Sequence, residues 1–234
     1  MAHPSRSDNF FKDYINIFAY FHKNNQKIAA INLWVNGFKI LHGATIVKDF
    51  DTYQNIQFTE TEAPDFTTLK PFINDSLMDD IRITTCFENF MKGVLILNDC
   101  VVHKLSNKNK VLKYEQTERP LKIEEVFNST SFSNFNATNP SLWETIFQTL
   151  NFSWLLKPKY QSIINLPPEI LSIITNINEE RNKLHFITLG EFQFGKPTID
   201  KYSKIIEFAN TTIKRCILDL DGNMKEILEK IQAQ

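Results

Sequence analysis

Apolar residues return at three- and four-residue steps along "IRITTCFENFMKGVLILNDCVV": Ile83, Phe87, Phe90 or Met91, Val94, Leu97 and Val101. A period near 3.6 held over about 25 residues puts these side chains on one face of a helix and leaves no room for the alternation of a strand. The same step recurs at Phe11, Ile15, Phe18 and Phe21 or His22, then at Ile31, Trp34 or Val35, Phe38 and Leu41, and again at Ile170, Ile173 or Ile174 and Ile177. These stripes predict an all-α chain. Two helices, or one bent one, are expected over 8–42, with a break at Asn24–Gln26 and Gly43 closing the second. Further helices are predicted over 76–107, after the capping box of Ser141 and Glu144, over 167–189, over 198–222, and in a short terminal piece at 223–232.

Strand signals are marginal and confined to "TIVKD", "KVLKYEQ" and "EFQFG". Residues 106–140 read as a long irregular insertion with room for one short helix at 122–128, and 1–43 as an N-terminal helical region of a single domain spanning 1–234. The 20 phenylalanines are large, rigid core fillers and call for a thick interior.

Bulk charge directs the chain to no partner, because the formal net charge is -1; a small basic cleft would leave no trace in that total. Cys86, Cys100 and Cys216 are far apart and form no C-x-x-C pair, which argues against a disulfide framework or a zinc site and for a reducing compartment. The start "MAHPSRSDNFF" has no signal-like apolar run, and no stretch approaches the roughly 18 apolar residues of a membrane span. A cytoplasmic protein with no membrane association is the expectation. An H-E-x-x-H, a P-loop, a dinucleotide fingerprint and a nucleophile elbow are all absent, so no metal and no cofactor are expected.

The chemistry is concentrated in "INEERNKLHF", 177–186. On a helix over 167–189 the apolar line through Ile170, Ile173 or Ile174 and Ile177 continues to Leu184, and position 181 falls on it. Arg181 therefore stands where a leucine would be. A guanidinium there must find an acidic group or open into a polar cleft. His185 lies one turn on, and Asn182 shares a side with Asn178 and His185. Arginine holds phosphate in its planar fork, and histidine transfers protons near neutral pH. Glu88, beside the stripe of the 76–107 helix, is an acidic partner open to Arg181 or to Lys92. Alternating charge in "EERNKL" also suits an ordinary helix tail.

"CFENFMKGVLILNDCVVHKL" (86–105) and "EERNKLHF" (179–186), each late in a long helix-like stretch, resemble the HEPN superfamily. The resemblance implies a bundle of four or five main helices, here with extra N-terminal helices and long irregular connections. It also implies a homodimer and association with RNA or a nucleotide. Many such domains are metal-independent endoribonucleases or toxins, in phage defence among other settings, acting with an antitoxin or another protein partner. Others are inactive binding or assembly modules. Carried onto this chain, the catalytic set is Arg181, Asn182 and His185, supported by Glu88 and Asn178. The family's histidine follows its arginine after four to six intervening residues; here three intervene, and Phe186 stands at the commonest position. A shift of one position turns a side chain by about 100° around the helix. Three readings follow: an RNA-cleaving enzyme, a silent binding module, and an unrelated helical scaffold.

Overall fold

The structure, a computed structural model, describes residues 19–21, 23–48, 66–104, 115–128, 149–183 and 196–233. In chain order, a short 3-10 turn at Ala19–Phe21 precedes α1 (Lys23–His42), α2 (Thr45–Lys48) and α3 (Phe66–Leu97). Then come α4 (Ile123–Asn128), α5 (Phe152–Leu155), α6 (Pro158–Ile164), α7 (Pro168–Lys183) and α8 (Lys196–Phe208). A π-helical segment, Ala209–Ile213, joins α8 to α9 (Lys214–Leu220), and α10 (Lys225–Gln232) follows a 3-10 turn at Gly222–Met224. Among the described residues the fold is all-α, with two isolated β-bridges and no sheet.

Two compact units divide the chain, and the division falls inside α1 and α3. One comprises residues 1–32 and 91–165, the other 33–90 and 166–234.

The second unit is built on the stripes read from sequence. Ile83, Phe87 and Phe90 of α3 are buried, as are Trp34, Phe38 and Leu41 of α1 and Ile170, Ile173, Ile174 and Ile177 of α7. Phe208 stacks on Phe87 and meets Phe90 edge-on, and Trp34 donates its indole N–H to the Phe90 carbonyl at 2.9 Å. Burying a Phe or Leu side chain in such a core contributes about 1.5–3 kcal/mol each. At the π-helical segment Asn210 accepts hydrogen bonds from His42 Nε2 at 3.1 Å and Gln232 Nε2 at 2.7 Å, tying α1 and α10 to this widened turn. Burial lowers the His42 imidazole below its ordinary range, opposed by the Asn210 hydrogen bond.

In the first unit the chain leaves α3 earlier than its apolar period predicts. Asp99 adopts φ 55, and the Cys100 N–H returns to the Leu95 carbonyl. Residues 100–103 then run outside any helix, pairing through Val101 N–H to Leu121 O and, on another edge, through Leu150 N–H to Val102 O. An aspartate tolerates the left-handed region better than most residues. It is held there by Gln26 Nε2 at 2.8 Å and Lys23 Nζ at 3.1 Å, which also keep its carboxyl below the usual range.

Other expectations are corrected. Asn24–Gln26 do not break α1, which is continuous from Lys23; the two asparagines fall in the first turn, where polar side chains are well tolerated, and Gln26 is buried against Asp99. Val101 is buried, but on the non-helical segment. "TIVK" is helical rather than a strand. The short helix expected at 122–128 is present as α4, and α1 ends before Gly43, whose N–H meets the Lys39 and Ile40 carbonyls. The stripe from Phe11 to Phe18, the Ser141–Glu144 box, "EFQFG" and Gly190 lie outside the described residues. All three cysteines are free thiols, and burial pushes that of Cys86 up to about 12.

Close approach of α1 to α3 depends on Gly37. A Cβ there would stand 3.0 Å from the Cys86 carbonyl oxygen and 3.3 Å from its Cα, both backbone atoms of a long helix. Alanine gains about 1 kcal/mol of helix propensity, yet overpacking against backbone costs about 1–3 kcal/mol. Gly37→Ala is expected to be neutral to destabilising in urea unfolding, and Gly37→Val to lose distinctly more.

Candidate functional site

Pro168 opens α7 from its first position, where a missing N–H costs nothing, and four buried isoleucines then fix the face that α7 turns inward. Arg181 follows one turn after Ile177 on that face. It is half-buried, and its Nη1 donates to the Thr84 hydroxyl of α3 at 3.4 Å. Among the described residues it forms no ion pair.

Thr84 is buried and donates to the Asp80 carbonyl one turn back at 2.8 Å, leaving its lone pairs toward Arg181. Asp80 is 4% exposed, and Tyr202 of α8, itself buried, donates to its Oδ1 at 2.6 Å. Its neighbour Asp79 is also buried and accepts from Arg82 Nη1 at 2.8 Å and from the Thr45 N–H at 3.1 Å. Lys201 of α8 lies 3.8 Å from Glu180 of α7. Arg181, Thr84, Asp80 and Tyr202 of α7, α3 and α8 thus form one polar seam, whose link from Thr84 to Asp80 runs through the Asp80 main-chain carbonyl.

Burial pushes the Asp80 carboxyl up to about 7; the Tyr202 hydrogen bond and Lys201 oppose this, while Glu180 and Asp79 add to it. Burial, reinforced by Asp80, holds the Tyr202 phenol well above its ordinary range. Near neutral pH Asp80 therefore exists in both charge states, and Tyr202 remains a donor.

The residues singled out from sequence are distributed as follows. Arg181 occupies the predicted core line. Asn178, one turn before Asn182, is buried, and among the described residues its amide makes no side-chain hydrogen bond. Asn182 is exposed. Glu88 is half-buried one turn beyond Thr84 on α3, and the contact that Arg181 makes is with Thr84. His185 and Leu184 lie outside the described residues; of the described members of the proposed set, Arg181 is the one that hydrogen-bonds into the seam. Asp80, Thr84 and Tyr202 were not singled out. The signal was there: Asp80 is three residues before Ile83 and Tyr202 three before Ile205, both on apolar stripes, the same argument that draws attention to Arg181.

Next to the seam, α7 and α8 border a groove of about 340 Å³ lined by Glu169, Ser172, Ile173, Asp200, Lys201 and Lys204. Lys204 pairs with Glu169 there, so the lining carries both signs of charge and selects for neither. Among the described residues no three His, Cys, Asp or Glu side chains gather where a metal ion could be held. No described helix is long and apolar enough to cross a membrane.

A separate polar cluster occupies the first unit. Tyr20 OH lies 3.0 Å from His103 Nδ1 and accepts from the Val102 N–H at 3.2 Å. Gln116 donates to the His103 carbonyl at 2.7 Å, and the buried Lys92 donates to Thr149 at 2.6 Å, opposite His103 in a β-bridge. His103, expected near the end of a helix, sits instead on the non-helical segment after α3. Burial, with a smaller contribution from the Lys92 charge, lowers its imidazole to about 4.

Comparison with protein-family models, with curated proteins and with solved structures finds no match to this chain.

The lowered His103 sets a pH dependence. Its neutral form is the one folded, so its contribution is fully present above the ordinary histidine range and is lost as pH falls from about 6.5 toward about 4. Read as the wild-type minus His103→Gln difference in urea unfolding, which cancels the opposite pH dependence of the raised Asp80, this contribution should fall by on the order of 2–3 kcal/mol from pH 7 to pH 4.5. A difference that is the same at both pH values would contradict it.

Proposed function

We propose that this chain is an RNA- or nucleotide-associated helical protein of HEPN-like type, in which Arg181 receives a phosphate beside Asn182 and His185. One observation carries the reading. The Arg181 guanidinium is half-buried on an apolar helix face, yet among the described residues its single hydrogen bond is a long one to a neutral hydroxyl. A guanidinium has five N–H donors in a fixed fork, and most of this fork is left for a ligand. Phosphate is the anion whose geometry suits it, and bidentate arginine–phosphate pairs are among the strong charge-assisted contacts. Asn178, buried one turn away without a side-chain hydrogen bond among the described residues, adds a second polar group in search of a partner.

Neighbouring acids would oppose an anion, but their charge is muted. Asp79 is met by Arg82, Glu180 lies near Lys201, and Asp80 is largely protonated below its raised pKa of about 7.

Binding and cleavage are separable parts of the proposal. Cleavage without a metal needs a base, an acid and positive charge against the pentavalent phosphorus, and one copy of α7 brings one histidine. A homodimer that paired two such helices would complete the set, and an antitoxin or other protein partner would act by covering it. The three-residue spacing between Arg181 and His185 favours the second reading, a silent binding module.

The test uses a fluorescently labelled mixed-sequence single-stranded RNA and ATP, in EDTA throughout. Arg181→Ala should weaken binding by about tenfold or more, the loss of one charged hydrogen-bonding group. Unchanged affinity for both probes would contradict the phosphate role. RNA products formed by the wild type and absent with His185→Ala would support the enzyme; no products from either would leave the binding module.

A further inference from the structure

The carboxyl group of Asp80 has a geometry that suits one charge state and not the other. It is 4% exposed, and among the described residues its side chain has a single donor, the Tyr202 hydroxyl on Oδ1 at 2.6 Å. An ionised carboxylate can accept about four hydrogen bonds, and away from water it needs several of them to be stable. A protonated carboxyl, neutral and with less demand for donors, is well matched to one. Burial thus favours the neutral acid, and the one donor, Tyr202, offsets that only in part.

Of the charges facing Asp80, Glu180 and Asp79 favour the neutral acid and Lys201 opposes them. From its own helix comes Asp79, buried alongside, with Arg82 and the Thr45 N–H of α2 directed at Asp79 rather than at Asp80. From α7 come Glu180, which disfavours a second negative charge, and Arg181, whose guanidinium stops at Thr84. From α8 come Tyr202 and Lys201, and Lys201 is drawn toward Glu180 at 3.8 Å. No cation is engaged by Asp80 among the described residues.

We propose that Asp80 is a proton-operated latch between α3 and α8, closed on Tyr202 when protonated and released when ionised, because the anion can be hydrated only if α8 moves away. The inference concerns the hold on α8 and stands whether or not Arg181 binds phosphate. The position of the switch follows from burial: the folded carboxyl is raised to about 7 against 3.8 for a free side chain. The sign is that of a raised acid. The latch's contribution is complete at low pH and is lost as pH rises through about 7.

Amide hydrogen exchange across Lys196–Phe208 tests it, using the full chain at pH 6 and pH 8 with rates corrected for intrinsic base catalysis. The opening constant of α8 should rise about tenfold between those pH values, the change expected for one proton lost at a pKa near 7. Asp80→Asn keeps an acceptor for Tyr202 and cannot ionise, so its opening constant should not move. Tyr202→Phe removes the donor that favours the anion, so its rise should continue to a higher pH before levelling off. A wild-type opening constant equal at both pH values would overturn the proposal. So would a full tenfold rise retained in Asp80→Asn, or a Tyr202→Phe rise displaced to lower pH.

Discussion

A carboxyl group on a core stripe is the constraint that orders the second unit. Asp80 shares its helix face with Ile83, Thr84 and Phe87, so burying those apolar residues buries the acid with them. Leaving it without a hydrogen bond would cost several kcal/mol, an appreciable part of a domain's net stability. Tyr202 removes that cost and in doing so sets the register of α8 against α3, since a slip of one residue along α8 would carry the hydroxyl away. Thr84, one turn on, passes the polar line to Arg181 of α7. The apolar contacts around it, Phe208 on Phe87 and Phe90, are strong but undirected; the polar seam picks out one arrangement from those that would bury similar area.

Much of the helical framework was legible in sequence, because a 3.6-residue period is a local property and burial follows from it. The stripes of α1 and α7 reappear as buried residues, as does that of α3 as far as Met91; beyond it Leu95 and Ile96 are buried, while Val94 and Leu97 are half-buried. What was not legible depended on distant partners. Asp99 ends α3 with the help of Gln26 and Lys23, more than seventy residues earlier, and no local pattern announces that. The break expected at Asn24–Gln26 failed for the same reason, since Gln26 has a partner in Asp99 that only the folded chain supplies. The π-helical widening at Ala209–Ile213 lies inside a run with good helical periodicity, and its partners His42 and Gln232 come from opposite ends of the chain.

The candidate site was half legible. Arg181 stood out because a charged residue interrupted an apolar line, and that line is where the structure has it. Asp80 and Tyr202 interrupt their own lines in the same manner. They drew less attention because "MDDIR" looks like an exposed acidic turn and a tyrosine is at home on either side of a helix. One functional consequence is that Arg181 belongs to a connected polar seam and not to a solitary motif. Its guanidinium meets the Thr84 hydroxyl, which in turn donates to the main-chain carbonyl of Asp80.

The most direct measurement of that account is a carboxyl-carbon NMR titration of the folded protein with Asp80 assigned by comparison with Asp80→Asn. The account predicts one aspartate resonance that titrates near pH 7, well above the ordinary carboxylate range, and vanishes in the variant. An Asp80 resonance titrating below about pH 5 would mean a hydrated, conventionally ionised carboxylate, and would contradict the buried seam as the element that holds α3, α7 and α8 together.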